Sequence, residues 1–181
     1  MAANPVHLIT VEEFRQLPEP SGDYTYELHH GELIPVTRPK LKHYILQSRL
    51  RDLLRSKAPL GGFVDIEFAF RALPEHDLRV ADVAFVSAER WAKADPEDNL
   101  HGAPDLVIEV LSPSNTAREM YEKEYLCLTH GSQEFWVVDP DQRYVRVATP
   151  AGPTTTYNAG QKIPLPLFGD ASLSVDELFA A

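Results

Sequence analysis

Several things are scarce in this chain of 181 residues, and each scarcity closes off a class of protein. Its single cysteine, Cys127, excludes an internal disulfide and any cysteine-rich zinc site. No run approaches the roughly 20 apolar residues a membrane-spanning helix requires. The opening MAANPVHLIT lacks a basic start followed by an apolar segment, so the expected setting is cytoplasmic, with no membrane partner. A basic excess is also missing. The formal charge is −10, which counts against tight nucleic-acid binding by bulk electrostatics. No internal repeat and no linker divides the chain. Its 44% hydrophobic and 24% charged content is that of an ordinary globular domain, long enough to bury a substantial core.

The charge that is present is unevenly spread. Arg38 to Lys57 holds seven basic residues against Asp52 alone, a local +6. Leu46, Leu50, Leu53 and Leu54 follow helical spacing there, and the stripe extended backwards reaches His43. Arg51 and Arg55 fall on the outer side. Such a helix suits either a phosphate-facing surface or a solvated face.

Around it the pattern alternates. Thr10-Val-Glu-Glu13 and Thr116-Ala-Arg-Glu119 are capping boxes that open helices. YELHHGELIPV predicts a hairpin turning at Gly31, and EFWVVDPDQRYVRVAT a second around Asp-Pro-Asp-Gln. GGFVDIEFAFR reads as a strand with Val64, Ile66, Phe68 and Phe70 on one face and Asp65 and Glu67 on the other. The tail from Thr149 is rich in Pro, Thr and Gly and ends in a short helix near Ser174. The order predicts an α/β or α+β fold around a mixed sheet.

Two acids break this pattern. LRVADVAFV and PDLVIEVL read as strands buried on both faces, yet each carries a carboxylate, Asp82 and Glu109, where a hydrophobe belongs. Each shares its face with apolar neighbours, Val80 and Ala84 for Asp82 and Val107 and Leu111 for Glu109. Acids on adjacent strands repel unless a cation lies between them, and hard oxygen ligands suit Mg²⁺ or Mn²⁺. Alternatively each acid caps a strand end or pairs with an arginine. On the following helix, Lys123 falls inside the apolar arc when residues are spaced about 100° apart. Glu124 shares that arc and could be its ion-pair partner, and inward lysines commonly snorkel to water.

The order RVADVAFV, PDLVIEVLSPSN, REMYEKEY and HGSQEFWVVDP resembles the Uma-two family of restriction-endonuclease-like proteins, a branch of the PD-(D/E)xK nuclease superfamily. The similarity runs from YELHHGELIPV to LSVDELF. It implies one restriction-endonuclease-like domain over residues 1–181, a mixed β-sheet flanked by helices. By that resemblance Asp82 matches the family's metal-binding aspartate, Glu109 its acidic partner, and Lys123 the lysine that stands on the helix instead of at Leu111. The implied activity is Mg²⁺-dependent (or Mn²⁺-dependent) hydrolysis of nucleic acid, DNA being the expected substrate. Asp82, Glu109 and the Val110 carbonyl would hold the ion. Two positions depart from the pattern: Ala81 replaces a proline and Cys127 a tyrosine. A homodimer is expected by analogy, since cutting both strands takes two sites.

Glu27 and His43 are outer candidates, a further metal-side carboxylate and a phosphate contact. His29 and His30 read as exposed turn residues, and Phe135 and Trp136 as core. Ser112 and Ser114 lack the glycine-flanked elbow of a hydrolase serine. The competing readings are a catalytically silent nuclease-like scaffold that binds nucleic acid or protein, and a glycosidase-like pair of carboxylates, which leaves Lys123 without a role.

Overall fold

The computed structural model describes residues 7–180. Thr10 opens α1 (Val11–Phe14) through the expected reciprocal cap with Glu13. β1 (Tyr24–His29) and β2 (Glu32–Thr37) form the predicted hairpin. His30 and Gly31 take φ of 50° and 83° in its two-residue turn. A Cβ on Gly31 would also meet Leu8 at 2.7 Å, so glycine is required there twice over. The basic stripe becomes α2 (Leu41–Arg55), burying Leu46, Leu50 and Leu54 as read, and with them Gln47.

Seven strands form the main sheet: β3 (Phe63–Arg71), β4 (Arg79–Val86), β5 (Leu100–His101), β6 (Leu106–Val110), β7 (Glu134–Asp139), β8 (Tyr144–Ala148) and β9 (Thr155–Tyr157), in the order β5-β3-β4-β6-β7-β8-β9. β6 runs parallel to β7 and antiparallel to β4, so the sheet is mixed. Between β4 and β5 lies the short α3 (Ala88–Trp91). The connection from β6 to β7 is α4 (Ala117–Thr129), opened by the Thr116–Glu119 capping box. The tail adds β10 (Lys162–Pro164), β11 (Ser172–Ser174) and α5 (Val175–Leu178). The mixed α+β architecture is the expected one, whereas β5, α3 and the tail strands carry too few residues to show a period.

Helices cover both faces. On one, α2 and the tail bury Leu50, Val83, Ile108, Trp136, Leu173 and Leu178. On the other, α4 contributes Leu126 and Cys127 against Phe70, Val107 and Phe135. Phe135 and Trp136 are therefore core, as read. The Trp136 indole N–H is satisfied by Glu134 Oε2 at 2.8 Å.

The face assignment of β3 needs correction. Val64 and Ile66 do pack on the α2 side, but Phe68 and Phe70 belong to the α4 side. Alternation is reversed at Glu67, which has a left-handed φ of 49° in mid-strand. β4 switches with it, since Ala81 lies on the α4 side and Val83 on the α2 side. Asp82, at the crossing point, consequently does not share a simple apolar face with Val80 and Ala84. A non-glycine residue in this backbone region costs energy and persists only when its surroundings hold it there.

Candidate functional site

The β1–β2 hairpin is stitched onto the approach to β4. Leu28 and Leu78 exchange main-chain bonds of 3.0 and 2.9 Å, and Gly31 N–H donates to the His76 carbonyl at 2.7 Å. Arg79 donates to both oxygens of the fully buried Asp77 (2.8 and 3.2 Å), whose Oδ2 also accepts the His30 amide. These contacts hold the hairpin's Glu27 against the core, where it is nearly inaccessible.

The strand β6 ends the argument about Glu109. Its neighbours Ile108 and Val110 pack toward α2, so Glu109 faces α4, and there Lys123 Nζ stands 2.8 Å from its Oε1. Both side chains are buried, 8% and 9% exposed. Lys123 therefore does not snorkel. Its partner is not Glu124 either, which pairs with Arg146 at 2.5 Å. The ammonium aims its hydrogen bond at the Val80 carbonyl (2.7 Å), and Glu109 Oε1, though close, has no well-directed donor.

Asp82 is held from the opposite side. Gln47 Nε2 donates to Oδ1 at 2.9 Å, the Val110 N–H donates to Oδ2 at 2.6 Å, and His43 Nε2 lies 3.1 Å from Oδ2. The β4–β6 ladder closes its last pair at Val83–Ile108, and beyond it the Asp82 carboxylate fills the gap to β6. Gln47 Nε2 also reaches Glu67 Oε1 at 2.5 Å. Asp82, Glu109 and Lys123 thus meet at one end of the sheet, joined by His43 from α2 and Glu27 from β1.

The charges act on one another. Burial drives Glu109 up to about 8; Lys123 opposes that rise and the Asp82 charge adds to it. Burial alone would lower Lys123, but Glu109, Glu27 and Asp82 outweigh it and hold the ammonium protonated. Glu27 goes the other way: burial pushes it up, yet Lys123, His29 and Arg79 hold it below the usual carboxylate range. His43 is raised, the hydrogen bond and charge of Asp82 overcoming its burial. Glu67 is raised by burial and by Asp82, against the Gln47 hydrogen bond. Cys127, on α4 beneath Lys123, is pushed up to about 12 by burial and is no nucleophile.

The sign for stability follows. A carboxyl that binds its proton more tightly folded than unfolded makes the fold less stable as pH rises between its two pKa values. Glu109 places that window between about 4.5 and about 8. Metal-free protein is expected to lose stability across it, and a divalent ion that takes the proton's place to flatten the loss. Urea midpoints at pH 5, 6.5 and 8, with EDTA or with Mg²⁺, measure both.

Does the donor set suit a hard cation? Among the described residues no three His, Cys, Asp or Glu side chains stand as a ready ligand cage. The site instead offers carboxylates of two strands with buried acceptors short of donors, Glu109 Oε1 and Gln47 Oε1. Mg²⁺ binds in such settings through one or two carboxylates while keeping several waters. The residues fit that mode.

Three residues escaped the sequence reading. Gln47 sits on the buried stripe one turn after His43, and a polar residue there was the available signal. Glu67 looked like ordinary strand alternation. His29, read as exposed, is mostly covered and binds Glu27 Oε2 at 2.9 Å. The basic surface of α2 is also smaller than its composition suggests. Arg49 binds the Leu178 and Ala180 carbonyls, Arg55 the Val64 carbonyl, Arg51 Asp52, and Lys42 Asp141.

A family model described as "Putative restriction endonuclease", Uma2, matches residues 11–176. The chain belongs to the Uma2 family. Among solved structures it is similar to a crystal structure titled as a "putative nuclease belonging to DUF820" from Anabaena variabilis ATCC 29413. Identity is 27% and the TM-score 0.79, over 95% of this chain and 98% of that one. Among curated proteins there is no match. The Uma2 match spans every element that bears on the site, from the α1 cap to the tail helix, and no helix among the described residues is long and apolar enough to cross a membrane.

Proposed function

We propose that this Uma2 protein is a metal-dependent nuclease that hydrolyses phosphodiester bonds, with DNA as substrate and Mg²⁺ or Mn²⁺ as cofactor. One observation carries the reading: two acids of adjacent strands, Asp82 and Glu109, meet beside a fully buried, protonated lysine. So costly an arrangement is retained where it does chemistry. A family description and a structural neighbour that both name nucleases support it.

When bound, a divalent ion would lower the pKa of a water and offset charge growing on the attacked phosphate. Asp82 and Glu109 would hold it, with the Val110 carbonyl as neutral ligand. His43 and the Val110 N–H fix Asp82 from two sides, so its ligand oxygens stay oriented. Lys123, anchored on the Val80 carbonyl, is pointed at the reacting centre and supplies positive charge to the phosphate oxygens. Glu27 keeps Lys123 charged, and His43 is placed to donate to a phosphate oxygen. Cutting both strands of a duplex takes two such centres, so the proposal includes a homodimer.

A second reading has its own support. Lys123 already serves as counter-ion to Glu109, and α2's arginines are occupied by protein acceptors, as a silent binding scaffold would allow. End-labelled duplex DNA, single-stranded DNA and RNA, incubated with the protein in Mg²⁺, Mn²⁺ or EDTA, decide between them. Cleavage in metal and not in EDTA is the expected result. Binding without cleavage in any metal would establish the scaffold instead.

A further inference from the structure

Glu67 is left over from the chemistry described so far, and its setting is unusual. It is the residue at which β3 turns its alternation over, and it holds a left-handed backbone directly opposite Asp82 in the β3–β4 register. That conformation aims its carboxylate at α2. There, Gln47 Nε2 lies 2.5 Å from Glu67 Oε1 and 2.9 Å from Asp82 Oδ1. A single amide nitrogen thus occupies the point on which oxygens of two separate acids converge.

The amide is itself incomplete. Gln47 is wholly inaccessible to solvent, yet its Oε1 has no donor. A buried, unpaired carbonyl oxygen costs on the order of 1–3 kcal/mol. Turning the amide about its last torsion exchanges nitrogen for oxygen and puts three oxygens around the same point. Three oxygens without a cation repel; three oxygens around a divalent ion are a ligand set. Glu67 is the exposed member, so the point is open to solvent on its side.

We propose that Glu67, Asp82 and Gln47 form a second divalent-cation position, separate from the Asp82–Glu109 position, with Asp82 shared between the two. This rests on the reading of Asp82 as a metal ligand. Oδ1 of Asp82 turns toward Gln47 and Glu67, and Oδ2 toward Val110 at the end of the Glu109 strand, so one carboxylate can bridge. Sites that use two ions on a phosphodiester hold them about 3.5–4 Å apart, a spacing one bridging carboxylate supports. The Gln47 amide proton donor stands in for the cation between Glu67 and Asp82 and yields when it arrives.

The test counts ions on the intact protein, using Mn²⁺ alone as probe, by calorimetric titration with electron paramagnetic resonance of free Mn²⁺. Wild type is expected to bind two Mn²⁺ per chain and Glu67→Gln one. Gln47→Glu is expected to tighten the weaker ion about tenfold by adding a charged ligand, a gain that misfolding cannot mimic. If wild type binds one ion that Glu109→Gln removes, and Glu67→Gln and Gln47→Glu leave it untouched, the second position is overturned while the nuclease centre stands. If wild type binds one ion that Glu67→Gln removes and Glu109→Gln does not, this position stands and the Asp82–Glu109 one falls. No bound Mn²⁺ in wild type overturns both.

Discussion

Glu109→Gln is expected to lower metal-dependent cleavage by at least about 10³-fold, because the amide keeps the side chain's shape and removes the charge that holds the ion. Stability should change little. The buried lysine keeps the Val80 carbonyl and the Glu27 charge, and an acid that burial had pushed up to about 8 is gone. The fall of stability between pH 5 and 8 should flatten in the same variant, a second readout that needs no substrate. Glutamine is a cleaner choice than alanine, and asparagine likewise at Asp82. Asp82→Ala would leave Gln47, His43 and the Val110 N–H without their acceptor, confounding lost activity with lost packing. Cleavage that survives Glu109→Gln would remove Glu109 from the chemistry.

The second large effect belongs to Lys123. Lys123→Met should reduce cleavage about 10²–10³-fold through lost electrostatic stabilisation. It should also destabilise the protein by about 3–5 kcal/mol at pH 9, the usual cost of stripping a buried charge of its partner. At pH 6 the penalty should be smaller, since Glu109 without the ammonium binds a proton still more readily and turns neutral. Adding Glu109→Leu to Lys123→Met should recover most of the stability and none of the activity. Urea midpoints of the two variants at both pH values separate structure from catalysis, and equal penalties at pH 6 and 9 would mean that Glu109 is not the group left unpaired.

How far the chain declared itself varies by element. The capping boxes at Thr10 and Thr116, the hairpin at Gly31 and the inner stripe of α2 are local signals, and all appear where spacing put them. Asp82 and Glu109 stood out because a carboxylate inside an apolar strand has no bland explanation. Lys123 facing inward was legible on a helical wheel, but its partner was not, since Glu124 on the same helix looked as suitable as Glu109 on another strand. Glu67 was hidden for a different reason. A left-handed residue that is not glycine leaves no trace in composition, and the reversal of Phe68 and Phe70 exists only through pairing with β4. Gln47 and His29 gain meaning only from neighbours far along the chain, Asp82 and Glu67 for the one and the buried hairpin floor for the other.

The mid-strand reversal also limits how this protein can be recombined. Because Glu67 and Asp82 invert together, β3 and β4 are a matched cassette: swapped singly between relatives, either strand would bring half a kink, and the mismatch would deliver aromatic rings to the wrong layer. Only exchange of the whole hairpin preserves both layers, so chimeric libraries should place their crossover points before Phe63 and after Val86, never between them.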